Sequence, residues 1–125
     1  MSALVSTSEL AGRLGDEGLL LLDVRRAEEF AGLVAAPCDP RPGRIPGARH
    51  LGLEELLSAP DPVAVRSLVG VPPGTEVIAY CHSGSRSAMA VQVLAAAGYE
   101  ARNYEGSWHE WSRDPALPAE SGPAS

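Results

Sequence analysis

A parallel α/β domain is predicted by three features of this 125-residue sequence. Short apolar strand runs alternate with helical signals, the clearest strand ends directly on a cysteine, and the polar loop that follows leads into a long alanine-rich helix. Taken in order, Ser6 and Glu9 form a capping box for a first helix through Leu14, closed by Gly15. Leu19-Leu20-Leu21-Leu22, ending at Asp23, is a continuous apolar run of the kind buried on both faces of a parallel sheet. Glu28-Glu29-Phe30 marks a short helix. Pro37, Pro40, Pro42 and Pro46 exclude regular structure from the stretch 35–47, which reads as an ordered loop. Ala48 to Leu51 reads as a short strand, Leu53 to Leu57 and Pro62 to Val69 as helices, Pro72-Pro73-Gly74 as a turn and Glu76 to Tyr80 as a strand. Arg86 to Ala97 is the alanine-rich helix, stopped by Gly98. Ala101 to Tyr104 is a last strand, and Trp108 and Trp111 share a short helix. Strands separated by helices require crossover connections, hence parallel pairing. One domain over residues 1–114 is expected, with 115–125 as a flexible C-terminal tail.

The bulk properties narrow the function classes. With 45% hydrophobic and 21% charged residues the chain has the composition of an ordinary globular protein, and no apolar run approaches the length that crosses a bilayer. The N-terminus MSALVSTSEL has no basic segment followed by an apolar stretch, so a cytoplasmic setting is expected and no membrane partner. The net charge is −6, and the ten cations are all arginines, scattered singly except for Arg25-Arg26. A nucleic-acid partner is not expected, since that normally needs a clustered basic stripe. Cys38 and Cys81 stand 43 positions apart and by themselves make neither a metal-ligand cluster nor a disulfide framework, so no metal and no organic cofactor is expected.

The chemistry points to Tyr80-Cys81-His82-Ser83-Gly84-Ser85-Arg86-Ser87, which joins the end of a buried strand to the start of a helix. Open α/β sheets present ligands at this position. Unpaired N–H groups at the helix N-terminus, tight turns around Gly84 and the charge of Arg86 all favour a thiolate over a thiol, lowering the pKa of Cys81 from its free value of roughly 8.5. The bland alternative for Cys81 is a small buried hydrophobe at a strand end, which the polar loop after it argues against.

Together, Leu21-Leu22-Asp23-Val24-Arg25 with Glu29-Phe30, then Gly43-Arg44-Ile45-Pro46-Gly47-Ala48, then the loop from Cys81 to Arg86, resemble the rhodanese family over about residues 6–111. The segment from Asn103 to Trp111 is similar to the end of the catalytic domain in two-domain thiosulfate and mercaptopyruvate sulfurtransferases. The resemblance implies a central parallel five-stranded sheet flanked by helices on both faces, a six-residue loop beginning at the nucleophile Cys81, and a persulfide intermediate. Related phosphatases use a loop one residue longer; here four residues separate Cys81 from Arg86. The shorter cradle has less room for a tetrahedral phosphate but can surround the outer sulfur of a persulfide with N–H donors.

Carried over by position, substrate binding is assigned to His82, Ser83, Gly84, Ser85 and Arg86, with Trp108 near the pocket. Each has a plainer reading. His82 is a proton donor or an exposed variable position, Ser83 and Ser85 bond the donor or the loop itself, and Gly84 permits positive φ. Arg86 faces substrate or ties the loop to an acidic neighbour, and Trp108 shields the site or fills the core. Asp23 orients loop groups or pairs with an arginine, Arg25 and Glu29 have the spacing of an ion pair, and Cys38 reads as a bystander thiol. The expected activity is thiosulfate:acceptor sulfurtransferase, 3-mercaptopyruvate also standing as donor, with a thiol, cyanide or a protein as sulfur acceptor. Other readings are a sulfur-carrier or persulfide-sensing module fed by a protein partner, an inactive binding domain, and a small phosphatase or arsenate reductase.

Overall fold

In the computed structural model, which describes residues 3–122, the chain runs α1 (Thr7–Ala11), β1 (Leu19–Asp23), α2 (Ala27–Phe30), β2 (Arg49–His50), α3 (Leu53–Ser58), α4 (Pro62–Val69), β3 (Glu76–Tyr80), α5 (Ser85–Ala96), β4 (Glu100–Asn103) and α6 (Ser107–Trp111). The strands pair in the order β2-β1-β3-β4 and every pairing is parallel, as a chain alternating strands with helices requires. Leu21 lies beside Ile78 and Asp23 beside Tyr80, so β1 and β3 end together at one edge.

Because strand side chains alternate, the two central strands feed two cores. Leu22, Val77, Ala79 and Cys81 face α3, α4 and α5, packing with Leu56, Val69, Ala90 and Leu94. Leu21, Ile78 and Tyr80 face the other way, onto Leu10, Ile45, Tyr104, Trp108 and Trp111. Helices therefore cover both faces, and Val77, Ile78, Ala79 and Tyr80 are all fully buried. Each large apolar side chain so buried contributes about 1.5–3 kcal/mol. On the α5 face, Ser87, Ala90 and Leu94 recur at helical spacing, and the two small residues let the helix N-terminus approach the end of β3.

The expected five-stranded sheet has four strands among the described residues. The position beyond β4 is taken by the N-terminal segment, which makes a single parallel bridge from Leu4 to Asn103. Val5 N–H donates to Asn103 O (3.0 Å) and Asn103 N–H to Ala3 O (2.8 Å). The chain then leaves the sheet, because Ser6 is already the N-cap of α1, its Oγ accepting from Glu9 N–H at 3.1 Å. Only half of the capping box forms. The Glu9 carboxylate accepts instead from Arg102 (2.6 Å), and α1 closes at Ala11, a turn short of the expected Leu14.

The proline-rich loop is anchored chiefly by arginine. Arg41 donates to the carbonyls of Trp111, Ser112, Asp114 and Leu117, satisfying the C-terminal end of α6. Arg44 and Glu120 form an antiparallel bridge, Trp111 Nε1–H donates to Pro118 O (2.8 Å), and Gly122 N–H donates to Ala31 O (2.8 Å). Gly43 permits this passage, since a Cβ there would collide with Glu120 O. Of the segment expected to be a flexible tail, residues 115–122 are held by these bonds, and 123–125 lie outside the described residues.

Candidate active site

Cys81 follows β3 directly, on the side of the sheet shared by Val77 and Ala79, and its sulfur points at the start of α5. Sγ accepts from Gly84 N–H at 3.1 Å and from Ser87 N–H at 3.4 Å, and the Ser87 hydroxyl lies 3.4 Å away. The same hydroxyl is 3.2 Å from Gly84 O, so its one hydrogen is shared between carbonyl and sulfur and turns to whichever carries more charge. Burial pushes the Cys81 thiol up. The Ser87 hydroxyl and the N–H groups of Ser87, Gly84 and Ser83 outweigh it, and the net shift is downward.

Gly84 makes this geometry possible. It caps α5 in the left-handed region (φ 95°), and a Cβ there would stand 2.6 Å from Glu105 O, so both the turn and the close approach need glycine. Asn103, at the end of β4, donates from Nδ2 to Gly84 O at 3.3 Å. Cys81's own N–H donates to Ser107 Oγ (3.0 Å), whose hydrogen goes to Tyr104 O (2.8 Å). Ser107 holds a left-handed φ of 54°, uncommon for a residue with a Cβ. Two further bonds dock α6 on the loop, Trp108 N–H to Cys81 O (2.9 Å) and His109 N–H to His82 O (2.8 Å).

The remaining predicted residues separate into two groups. Ser83 and Ser85 are exposed at the loop surface. Trp108 is 1% exposed; its Nε1–H donates to Arg41 O, and its ring lies 5.3 Å from the Arg25 guanidinium, so it fills the core behind the loop. Arg86 donates to Glu29 from both terminal nitrogens (2.9 and 3.4 Å) and remains one-third exposed. Burial would raise the Glu29 carboxyl, but the Arg86 and Arg26 hydrogen bonds bring it down to about 2. The Arg25 to Glu29 pair suggested by spacing does not form. Arg25 precedes α2, so helical i, i+4 geometry does not apply. It turns back instead to grip buried Asp23 (Nη2 to Oδ2 2.7 Å, Nε to Oδ1 2.9 Å) and Gly43 O (2.6 Å). Asp23 thus holds the loop 35–47 through Arg25.

Beside the loop, His82 Nε2 lies 3.0 Å from Asp39 Oδ1, with Cys38 and His109 close by. Sequence reasoning missed Ser87, Ser107, Asn103, Asp39 and His109. Ser87 had a usable signal, lying in the first turn of the helix that faces the thiol; the others reach the site from distant segments.

These features define a parallel α/β domain in which a cysteine sulfur sits in a cradle of backbone amides at a strand-to-helix junction. The rhodanese-like domain profile matches residues 6–114. A probable 3-mercaptopyruvate sulfurtransferase of Pseudomonas aeruginosa is 37% identical over 97% of this chain and 45% of that protein, and a thiosulfate sulfurtransferase of Azotobacter vinelandii is 32% identical over 92% of this chain and 45% of that protein. The chain belongs to the rhodanese-like domain family, and it spans about half the length of these curated relatives. A crystal structure of a probable thiosulfate sulfurtransferase superposes with TM-score 0.81 at 49% identity, covering 94% of this chain and 47% of that one. The human single-domain sulfurtransferase TSTD1 superposes with TM-score 0.67 at 34% identity, covering 89% of this chain and 96% of that one.

Proposed function

We propose that the chain is a sulfurtransferase that accepts a sulfane sulfur on Cys81 from a small anionic donor such as thiosulfate and passes it to a thiol or to cyanide. The observation that carries this reading is the convergence of the Gly84 and Ser87 N–H groups and the Ser87 hydroxyl on one sulfur atom. The Cys81 thiolate attacks the outer sulfur of thiosulfate, a new S–S bond forms as the donor's S–S bond breaks, and sulfite leaves with the electron pair. Cysteine persulfide then carries one negative charge on a sulfur roughly 2 Å beyond Sγ, within the same field of loop donors. Cyanide takes that outer sulfur as thiocyanate, returning Cys81 to thiolate; a thiol acceptor leaves as its own persulfide.

In this reading Ser83, Ser85 and the exposed edge of Arg86 meet the donor anion, His82 stands beside them with its ring turned to Asp39, and Gly84 and Trp108 set the shape of the loop. Four residues between Cys81 and Arg86 favour sulfur over phosphate as the group transferred. The names of the relatives support sulfur transfer and include both thiosulfate and mercaptopyruvate types.

The test is intact-mass spectrometry after incubation with thiosulfate or 3-mercaptopyruvate. A gain of one sulfur atom is expected, removed by cyanide and absent in Cys81→Ser, which should also lose steady-state transfer. If neither donor gives a cyanide-labile adduct on Cys81, small-molecule sulfur transfer is the wrong function; loading by a protein persulfide would then identify a sulfur carrier.

A further inference from the structure

Cys38, Asp39, His82 and His109 come from three segments and present Sγ, a carboxylate oxygen, Nε2 and Nδ1 within 4.8 Å of one another. Sγ of Cys38 lies 3.9 Å from His82 Nε2 and 3.8 Å from His109 Nδ1. Asp39 Oδ1 lies 3.0 Å from His82 Nε2 and 3.6 Å from His109 Nδ1. Ligand bonds of about 2.0–2.1 Å to nitrogen or oxygen and about 2.3 Å to sulfur put tetrahedral ligands about 3.3 Å apart for N and O, and about 3.6 Å apart for S and N. Of the six separations among the four ligand atoms, these four and Cys38 Sγ to Asp39 Oδ1 (3.9 Å) lie within a few tenths of an ångström of such values, and the sixth, between the two imidazole nitrogens, lies within 4.8 Å and closes as the rings turn onto the ion. We propose that Cys38, Asp39, His82 and His109 form a tetrahedral site for a divalent transition metal, zinc by its ligand chemistry, at the edge of the Cys81 loop.

Three further observations support a built site. The Asp39 side chain is only 2% exposed although its neighbour Cys38 is exposed, so a nearly buried carboxylate faces two imidazoles. The ligands' backbones are already tied down: Arg113 Nη1 donates to Cys38 O (2.9 Å), Asp39 N–H to Ala36 O (2.9 Å), and His109 N–H to His82 O (2.8 Å), which joins the two histidines directly. The charges also balance. One thiolate, one carboxylate and two neutral imidazoles neutralise M²⁺, and binding releases the Cys38 thiol proton to solvent. One soft sulfur with two imidazoles selects zinc over magnesium or calcium, and four protein ligands make a closed site. The metal would clasp the proline-rich loop to His82, the residue next to the nucleophile.

Cys81 is itself a thiol that captures soft metals, so the experiment uses the full chain carrying Cys81→Ser and makes no use of sulfur transfer. Co²⁺ titration should saturate at one ion per chain with tetrahedral visible bands and a thiolate-to-cobalt charge-transfer band, and Zn²⁺ should displace it. Adding Cys38→Ser should abolish the charge-transfer band. His109→Ala should weaken Zn²⁺ binding by more than the about 100-fold that loss of an outer-shell partner costs. Zn²⁺ should raise the melting temperature of Cys81→Ser, and Cys38→Ser should remove that rise, a readout that also confirms folding. Failure of Cys81→Ser to bind Co²⁺ stoichiometrically, or a charge-transfer band that survives Cys38→Ser, overturns the proposal.

Discussion

Two loops meet beside Cys81, and they are built in opposite ways. The 81–86 loop is local: its donors Gly84 and Ser87 lie three and six residues from the sulfur they serve. The 35–47 loop is held from afar: Arg41 reaches carbonyls 70 to 76 residues away, and Asp39 meets a histidine 43 positions on. The first loop stabilises charge on one atom; the second positions its surroundings. Changes within the first should therefore alter the chemistry of Cys81 directly, and changes in its long-range tethers should act mainly on stability.

The largest expected effect on that contrast is Gly84→Ala. A left-handed alanine costs about 1–2 kcal/mol and forcing a methyl against Glu105 O about 1–3 kcal/mol more, so the melting temperature should fall by on the order of 5 °C or more and sulfur transfer should collapse with it. Differential scanning calorimetry beside a thiocyanate assay decides the matter, and an unchanged protein would show that the cradle does not depend on this turn. Next is Ser87→Ala, which removes one donor to a charged sulfur. Transfer at neutral pH should slow about tenfold, corresponding to about 1.5 kcal/mol, with little change in melting temperature. The rate of Cys81 alkylation against pH should show its titration displaced upward; an unmoved profile would mean the backbone amides alone set the thiol.

The smallest effect is expected outside the cradle, at the Arg86 to Glu29 tether. The Glu29 carboxyl is lower in the folded chain than its ordinary 4.5, so its contribution is fully present above about pH 4.5 and fades as pH falls toward about 2. Glu29→Gln should lose about 1 kcal/mol at neutral pH, and the gap to wild type should close across that acid window in urea unfolding curves. A gap that stayed constant with pH would show that the ion pair is not its source.

The same division explains what could be read before the structure. The strands 19–23 and 76–80 and the helix 62–69 were legible because their signals are local: apolar runs, a proline at the helix start and a glycine at its end. The Cys81 cradle was legible for the same reason, except that its donor set extends one residue past Arg86 to Ser87. The pairing of Arg25 was misjudged because spacing implied a helix that begins only at Ala27. Asp39, His109, Ser107 and Asn103 join the site through tertiary contacts, which no sequence window contains. The four strands read from the residues are the four that form; the fifth came only from the resemblance, and at that boundary Ser6 caps a helix and leaves a single bridge to the sheet.

That boundary also bears on solubility. Exposed sheet margins recruit other chains, and proteins blunt them with short strands, charges or covering segments. One margin here is β2, two residues long, with the guanidinium of Arg49 turned to Val69 O. The opposite margin, β4, has Ala3 and Val5 bonded to Asn103 near its active-site end. The short N-terminal contact therefore shields the flank whose last residue also braces Gly84. Trimming it should favour edge-to-edge aggregation at high concentration and loosen the Cys81 loop together.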